Sequence, residues 1–118
     1  MNSLAPGFQV AQNRPAGTTA VLAFTATIQT AITTIVICNT SGAACTARVF
    51  HDDSGGSTYD QTTAILYDLP LAAAETVLFE SGVAADGVTV KAGGQIAVRS
   101  SVANAITFSI YGVTQALR

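Results

Sequence analysis

The stretch Thr33–Asp53, TTIVICNTSGAACTARVFHDD, contains two β-rich runs separated by a Thr-Ser-Gly break. Two such runs on either side of a short break predict an antiparallel β-hairpin. A turn centred on Ser41 and Gly42 would require a positive φ at Gly42 and would place Cys38 directly opposite Cys45. The sequence therefore predicts a hairpin at the centre of the domain, to which the other strands are added.

The two cysteines allow two interpretations. Directly opposed strand residues have β-carbons near disulfide distance, so a bridge between Cys38 and Cys45 is geometrically possible. A disulfide straight across two strands has awkward torsions, however, and a reducing compartment disfavours it. We expect two small buried free thiols.

Period-two alternation of apolar and polar residues recurs along the rest of the chain, as expected for half-buried strands. The alternating runs are Thr18–Thr30, Thr62–Tyr67, Glu75–Glu80, a short run around Val88 and Val90, Gln95–Ser100 and Ile106–Tyr111. The second and third runs are separated by Asp68-Leu69-Pro70 and a small-residue turn, which suggests a second hairpin. In the last run, the pattern predicts that Ile106, Phe108 and Ile110 face inward.

This spacing predicts an all-β protein, a single antiparallel β-sandwich or jelly roll of about eight strands, with an extended N-terminal arm. We assign residues 1–17 to the arm, because its prolines and glycines are too closely spaced for a helix, and residues 18–118 to the sandwich. The arm either lies on the rim of its own core or reaches a neighbouring subunit. Phe8, Val10 and Arg14 are its candidate interface residues.

The composition is unusually poor in charge. Hydrophobic residues make up 49% and charged residues 10%, against a usual charged share of about 25%. No apolar run approaches the about 18 residues of a membrane span, so we expect no membrane contact. The net charge is −2 and the five basic residues are scattered, which argues against nucleic-acid binding. The N-terminal residues do not resemble a secretory signal, so we expect assembly in a cytoplasm. Much of the uncharged exterior is expected to lie against other subunits.

The polar segment HDDSGGSTYDQ, residues 51–61, is the loop richest in functional groups. It supplies the remaining candidate interface residues, His51, Asp52, Asp53 and Tyr59. The oxygen atoms of its aspartates and Ser54 would suit calcium, but the spacing is not that of an EF-hand, and solvated acidic turns are the commoner case. His51 is the only histidine, and no nucleophile stands at a signature spacing from it. We therefore expect no enzyme activity, no cofactor and no bound metal.

Three stretches carry a resemblance to a known family: IVICNTSGAACTARVFHDD, YDQTTAILYDLPLAAAETV and QIAVRSSVANAITFSIYGV. From Thr18 to Val113 the chain resembles the small β-sandwich proteins of tailed-bacteriophage virions, in particular the capsid cement or decoration proteins of cyanophage-like particles. The resemblance implies a homotrimer on the capsid exterior that binds neighbouring major capsid proteins after expansion. Tail, baseplate and receptor-binding modules have similar strand-turn-strand stretches, and a free-standing calcium- or glycan-binding domain is a third possibility.

Overall fold

A computed structural model of the chain describes residues 7–80 and 88–114. These residues form nine β-strands, and within these ranges there is no helix. The strands are β1 (Phe8–Asn13), β2 (Val21–Thr25), β3 (Thr30–Asn39), β4 (Cys45–Asp52), β5 (Ala64–Leu71), β6 (Thr76–Glu80), β7 (Val88–Val90), β8 (Gln95–Ser100) and β9 (Ile106–Thr114).

The strands form two antiparallel sheets that pack face to face. Sheet A has the order β1-β9-β3-β6, with the short β7 also paired to β3, and sheet B has the order β2-β8-β4-β5. The antiparallel pairs β1–β9, β2–β8, β3–β6 and β4–β5 join strands from the ends of the chain towards its middle. This is the strand arrangement of a double-sheet jelly roll with one additional short strand. The predicted all-β sandwich or jelly roll is confirmed.

The predicted central hairpin is wrong. β3 lies in sheet A and β4 in sheet B, so residues 40–44 cross from one sheet to the other. Cys38 is opposite Thr76 and Thr107, and Cys45 is opposite Leu71. Both thiols are free, but Cys45 is buried and Cys38 is only partly so, which corrects the expectation of two buried thiols. Two runs of alternating residues bury an inner face equally well as hairpin partners or as strands of facing sheets, and the pattern does not distinguish the two.

The turn chemistry expected at the break is also wrong. Among the described residues, the glycines with positive φ are Gly55 and Gly93, so Gly42 does not use the left-handed region. The suggested second hairpin fails in the same way as the first, because β5 belongs to sheet B and β6 to sheet A. Pro70 lies in β5, which is an edge strand and tolerates the missing N–H.

The core lies between the two sheets and is almost entirely aliphatic. As predicted, Ile106, Phe108 and Ile110 of β9 point inward and are fully buried. Sheet A also contributes Ile32, Ile35 and Ile37, and sheet B contributes Ala47, Val49, Ile96 and Val98. β3 is central in its sheet, as expected, with β9 on one side and β6 and β7 on the other.

The N-terminal segment contributes an edge strand. Phe8–Asn13 is extended and pairs with β9, while residues 1–6 of the expected arm lie outside the described residues. Val10 packs against the core. This agrees with the first of the two interpretations, in which the segment lies on the rim of its own core.

The connections gather at the two ends of the sandwich. At one end, Asn104 N donates to Pro15 O, Thr40 N to Ala105 O and Ala74 N to Ser41 O; we call this the Asn39 end. At the other, the loop after β2 meets the turn before β8 through Ala26 and the paired glycines Gly93 and Gly94. The β4–β5 loop also begins there, so we call it the His51 end.

Candidate functional site

The β4–β5 loop is folded onto the outer face of sheet B. Val49 points into the core, and the next residue, Phe50, points to the opposite side of the sheet, where it lies beside Ala97 of β8. Both are nevertheless buried, with Phe50 2% exposed. The ring of Tyr59 lies 6.3 Å from that of Phe50, and its hydroxyl donates to Gln95 Oε1 at 2.7 Å. The loop therefore forms a small second apolar cluster outside the main core.

Asp52 organises the start of this loop. Its carboxylate accepts hydrogen bonds from Ser54 N at 2.8 Å, Ser54 Oγ at 2.5 Å and Thr58 N at 2.7 Å. These donors, the Ser54 hydroxyl above all, lower the pKa of Asp52. Asp60 repeats the arrangement with Thr62, whose hydroxyl and N–H lower the Asp60 pKa. The carboxylates hold the loop's own backbone.

Asp53, which pairs with His51, joins this loop to the turn before β8. His51 Nε2 lies 2.8 Å from Asp53 Oδ1, and the same oxygen accepts from Lys91 N at 3.2 Å. Gly94 passes so close that a Cβ at that position would collide with Asp53 Oδ1. Asp53 is thus the residue that connects the β4–β5 loop to the turn before β8, and His51 holds its carboxylate in place.

The structure brings together some of the sequence-predicted interface residues and separates others. His51 and Asp52 end β4, so the predicted loop over residues 51–61 starts two residues too early. Asp53 and Tyr59 lie in the loop that follows, and each of the four has a partner within the chain. The remaining three, Phe8, Val10 and Arg14, lie on or just after β1. The seven residues therefore do not form one surface.

The three residues near β1 have different surroundings. Phe8 pairs with Gly112 and is 69% exposed, whereas Val10 packs on the core. Arg14 is at the Asn39 end, where its Nη2 donates to Asn104 O at 2.6 Å. Phe8 is the one of the three whose side chain offers a large exposed apolar surface.

Sequence reasoning missed an ion-pair network on the outer face of sheet B. Arg48 and Arg99 are directly opposed on β4 and β8, and Asp68 of β5 lies between them. Arg48 binds its carboxylate through Nε at 2.7 Å and Nη2 at 3.2 Å, and Arg99 Nη1 lies 3.6 Å from it. The Arg48 guanidinium also stacks 3.9 Å above the ring of Tyr67.

The backbone makes this network possible. β5 bulges opposite Arg48, and Asp68 has a φ of 56°, which turns its carboxylate towards the two arginines. The hydrogen bond from Arg48 lowers the pKa of Asp68. The arginines and the aspartate come from three strands, so no local spacing reveals the network.

The outer face of sheet A has a different character. Its outward positions follow from the buried ones, since Ile35, Ile37, Val77, Phe79, Phe108 and Ile110 point inward. We call the opposite side the sheet A outer face; it comprises Gln9, Gln12, Thr34, Val36, Cys38, Thr76, Leu78, Glu80, Thr107, Ser109 and Tyr111. Within it, Gln12 donates to Ser109 Oγ at 3.2 Å and Thr76 donates to Cys38 Sγ at 3.3 Å. The face is a continuous surface of hydroxyls, amides and short apolar groups.

A shallow depression of about 640 Å³ lies at the Asn39 end, between the start of β4 and the end of β5. Cys45, Pro70, Leu71 and Glu75 are among its lining residues. Burial raises the pKa of the Cys45 thiol, and Glu75 Oε1 already accepts from Ala72 N at 2.7 Å. The two ionisable groups lining it are therefore a protonated thiol and a carboxylate engaged by the backbone.

Residues 7–80 and 88–114 contain no group of three or more His, Cys, Asp or Glu side chains placed to hold a metal ion. The same part of the chain has no helix long and apolar enough to cross a bilayer. Comparison of the chain with protein-family models, curated proteins and solved structures found no match.

Proposed function

We propose that this protein is a non-enzymatic structural component of a tailed-bacteriophage virion, a cement or decoration protein. In this proposal it assembles in the host cytoplasm, sits on the capsid exterior as a homotrimer and binds the major capsid protein. The observation that carries the proposal is the jelly-roll order of its two sheets, an architecture that viral capsid domains and lectins share. The three stretches that resemble virion proteins supply strands of both sheets.

The distribution of ionisable groups supports a structural role. The acidic side chains at the end of β4 and in the β4–β5 loop hold the loop's own backbone, and Asp68 pairs with Arg48 and Arg99. Little charge is left to attract a charged ligand, and large parts of the exterior are neutral. Such a surface suits close contact with neighbouring protein surfaces, where charged residues are depleted.

The test uses expanded and unexpanded phage heads that lack this protein. Purified protein is mixed with each, and the heads are separated from unbound protein and reconstructed by cryo-electron microscopy. We expect many copies in a regular array on expanded heads, few on unexpanded ones, and a higher temperature of head disruption after binding. Absence of binding to expanded heads would refute the proposal.

A second candidate is a tail, baseplate or receptor-binding module. It is favoured by Tyr67, which remains 43% exposed although Arg48 stacks on one face of its ring, because an exposed aromatic ring with a neighbouring carboxylate, here Asp68, can bind a sugar. The copy number separates the two: a tail component occurs as a few copies at the tail and gives no array on the head. A glycan array with wild type and Tyr67→Ala tests the sugar contact directly.

A further inference from the structure

The sheet A outer face is almost free of charge. Of its eleven side chains, Glu80 is the only Asp, Glu, Lys or Arg, and it lies at the end of the edge strand β6. Near the middle of the face, Val36 is flanked by Leu78 and Ser109, and Leu78 is 59% exposed. An exposed leucine beside a half-buried valine forms an apolar pair, and apart from Glu80 the side chains around it are uncharged.

The described edges of the two sheets are poorly suited to pairing with another chain. β1 is interrupted by a bulge between Gln9 and Ala11, and β2 has a bulge between Leu22 and Phe24. In β5, Asp68 has a positive φ and Pro70 offers no N–H. Irregular edges of this kind disfavour strand-to-strand addition at β1, β2 and β5. The fourth edge, β6, pairs regularly with β3 but has only five residues, so a face offers the larger surface for association of copies.

The outer face of sheet B is already occupied. The β4–β5 loop covers Phe50 through Tyr59, and Arg48, Arg99 and Asp68 occupy the neighbouring row. Two arginines and one aspartate give this row a net positive charge, so two copies brought together there would repel each other.

We infer that copies of this chain pack against one another through the sheet A outer face, with Val36, Cys38 and Leu78 towards the symmetry axis. In a closed symmetric assembly, each residue near the axis meets its own counterpart. A charge there would face a like charge, which opposes association, so the neutral face suits a position towards the axis shared by the three copies. This inference rests on the proposed function, because it names the surface by which the proposed homotrimer forms.

The size of the face sets the strength of the contact. Four strands about 4.8 Å apart give a width of about 19 Å, and strands of about seven residues give a length of about 25 Å, so the face has a projected area of roughly 480 Å². A standard interface uses about 800 Å² on each partner. We therefore expect reversible association that depends on protein concentration.

The experiment compares two leucine variants by sedimentation velocity over a range of protein concentrations. Leu78→Glu places a charge in the sheet A outer face, and Leu22→Glu places one on the outer face of sheet B, where Leu22 is 45% exposed beside Ala97. We expect wild type and Leu22→Glu to associate alike and Leu78→Glu to need at least tenfold higher concentration. Circular dichroism of both variants verifies that they are folded.

Cys38 provides a second measurement without a new label. It lies in the proposed contact as a free thiol, so its alkylation rate, read by peptide mass spectrometry, should fall as wild-type concentration rises. In Leu78→Glu the rate should stay constant over the same range. A constant rate in wild type, or a wild-type protein that stays monomeric at every concentration, would overturn the inference.

Weaker association caused by Leu22→Glu rather than Leu78→Glu would also overturn it, since that result places the contact on sheet B. Head binding is measured separately. If the protein decorates heads but does not associate through sheet A, the proposed function stands and this inference fails. If it associates through sheet A but does not bind heads, this inference stands and the proposed function fails.

Discussion

Replacing Asn39 with alanine should destabilise the protein by weakening two crossings at once, the segments 40–44 and 72–75 that run from one sheet to the other at this end. Asn39 ends β3, is fully buried, and bonds with the two connections that cross between the sheets at this end. Its Nδ2 donates to Ala43 O at 2.8 Å and to Ala72 O at 2.9 Å. Its Oδ1 accepts from Ser41 N at 3.0 Å and from Ser41 Oγ at 2.8 Å.

The expected magnitude follows from these four hydrogen bonds. A net contribution of about 1 kcal/mol each gives an upper value of about 4 kcal/mol. Ala43 and Ala72 are themselves exposed, so water can reach some of the abandoned partners, and we expect a loss of about 2–3 kcal/mol. That is a large part of the roughly 5–15 kcal/mol by which domains are stable.

The assay is urea unfolding followed by far-ultraviolet circular dichroism, since the chain has no tryptophan. Gln12→Ala is the matched control: it removes an exposed amide with one hydrogen bond of 3.2 Å and should cost less than about 1 kcal/mol. Asn39→Asp is the informative second variant. It keeps the acceptor for Ser41 but places a carboxylate oxygen against two carbonyl oxygens, so it should destabilise at least as much as alanine at pH 7.

An Asn39→Ala protein within about 1 kcal/mol of wild type, and therefore no different from the control, would refute this reasoning. It would mean that the two crossings are held by their backbone hydrogen bonds alone. A change in the slope of the urea transition would instead indicate that the compactness of the native or unfolded state has changed, or that the variant no longer unfolds in a single step.

Three further predictions concern the loops and the thiols. The lowered pKa values of Asp52 and Asp68 mean that the unfolded state binds protons more readily, so stability is full above about pH 4 and falls on further acidification; urea midpoints that do not change between pH 5 and pH 3 would contradict this. Tyr59→Phe should lose about 1 kcal/mol and speed hydrogen exchange in the β4–β5 loop while keeping the ring contact, and unchanged exchange would show that its hydroxyl is dispensable. In dilute native protein, an alkylating reagent should modify Cys38 well before Cys45, which is buried and has a raised pKa; equal rates would contradict the burial of Cys45.

The candidate site was only partly predictable. The acidic, glycine-rich composition of residues 51–61 marked the β4–β5 loop, and the structure places His51, Asp52, Asp53 and Tyr59 together in this loop and at the end of β4 before it. The pattern did not reveal that these side chains are satisfied within the chain, because Gln95 and Lys91 come from the distant strand β8 and the turn before it. The sheet A outer face could not be identified either, since its side chains come from four strands that become neighbours only in the folded sheet.

The sequence by itself determined the all-β class, the approximate positions of most strands and the inward side of β9, because period-two alternation and turn residues are local properties of the chain. It missed β1 in the N-terminal arm and placed a break at residues 68–70, which lie inside β5. Only the tertiary structure decided which strands pair. A short polar loop such as residues 40–44 can close a hairpin or cross between two sheets, and alternation buries the same side chains in either case. The choice depends on hydrogen-bond partners far away in the sequence, such as β9 for β3 and β8 for β4, and on a buried asparagine that holds two crossings together.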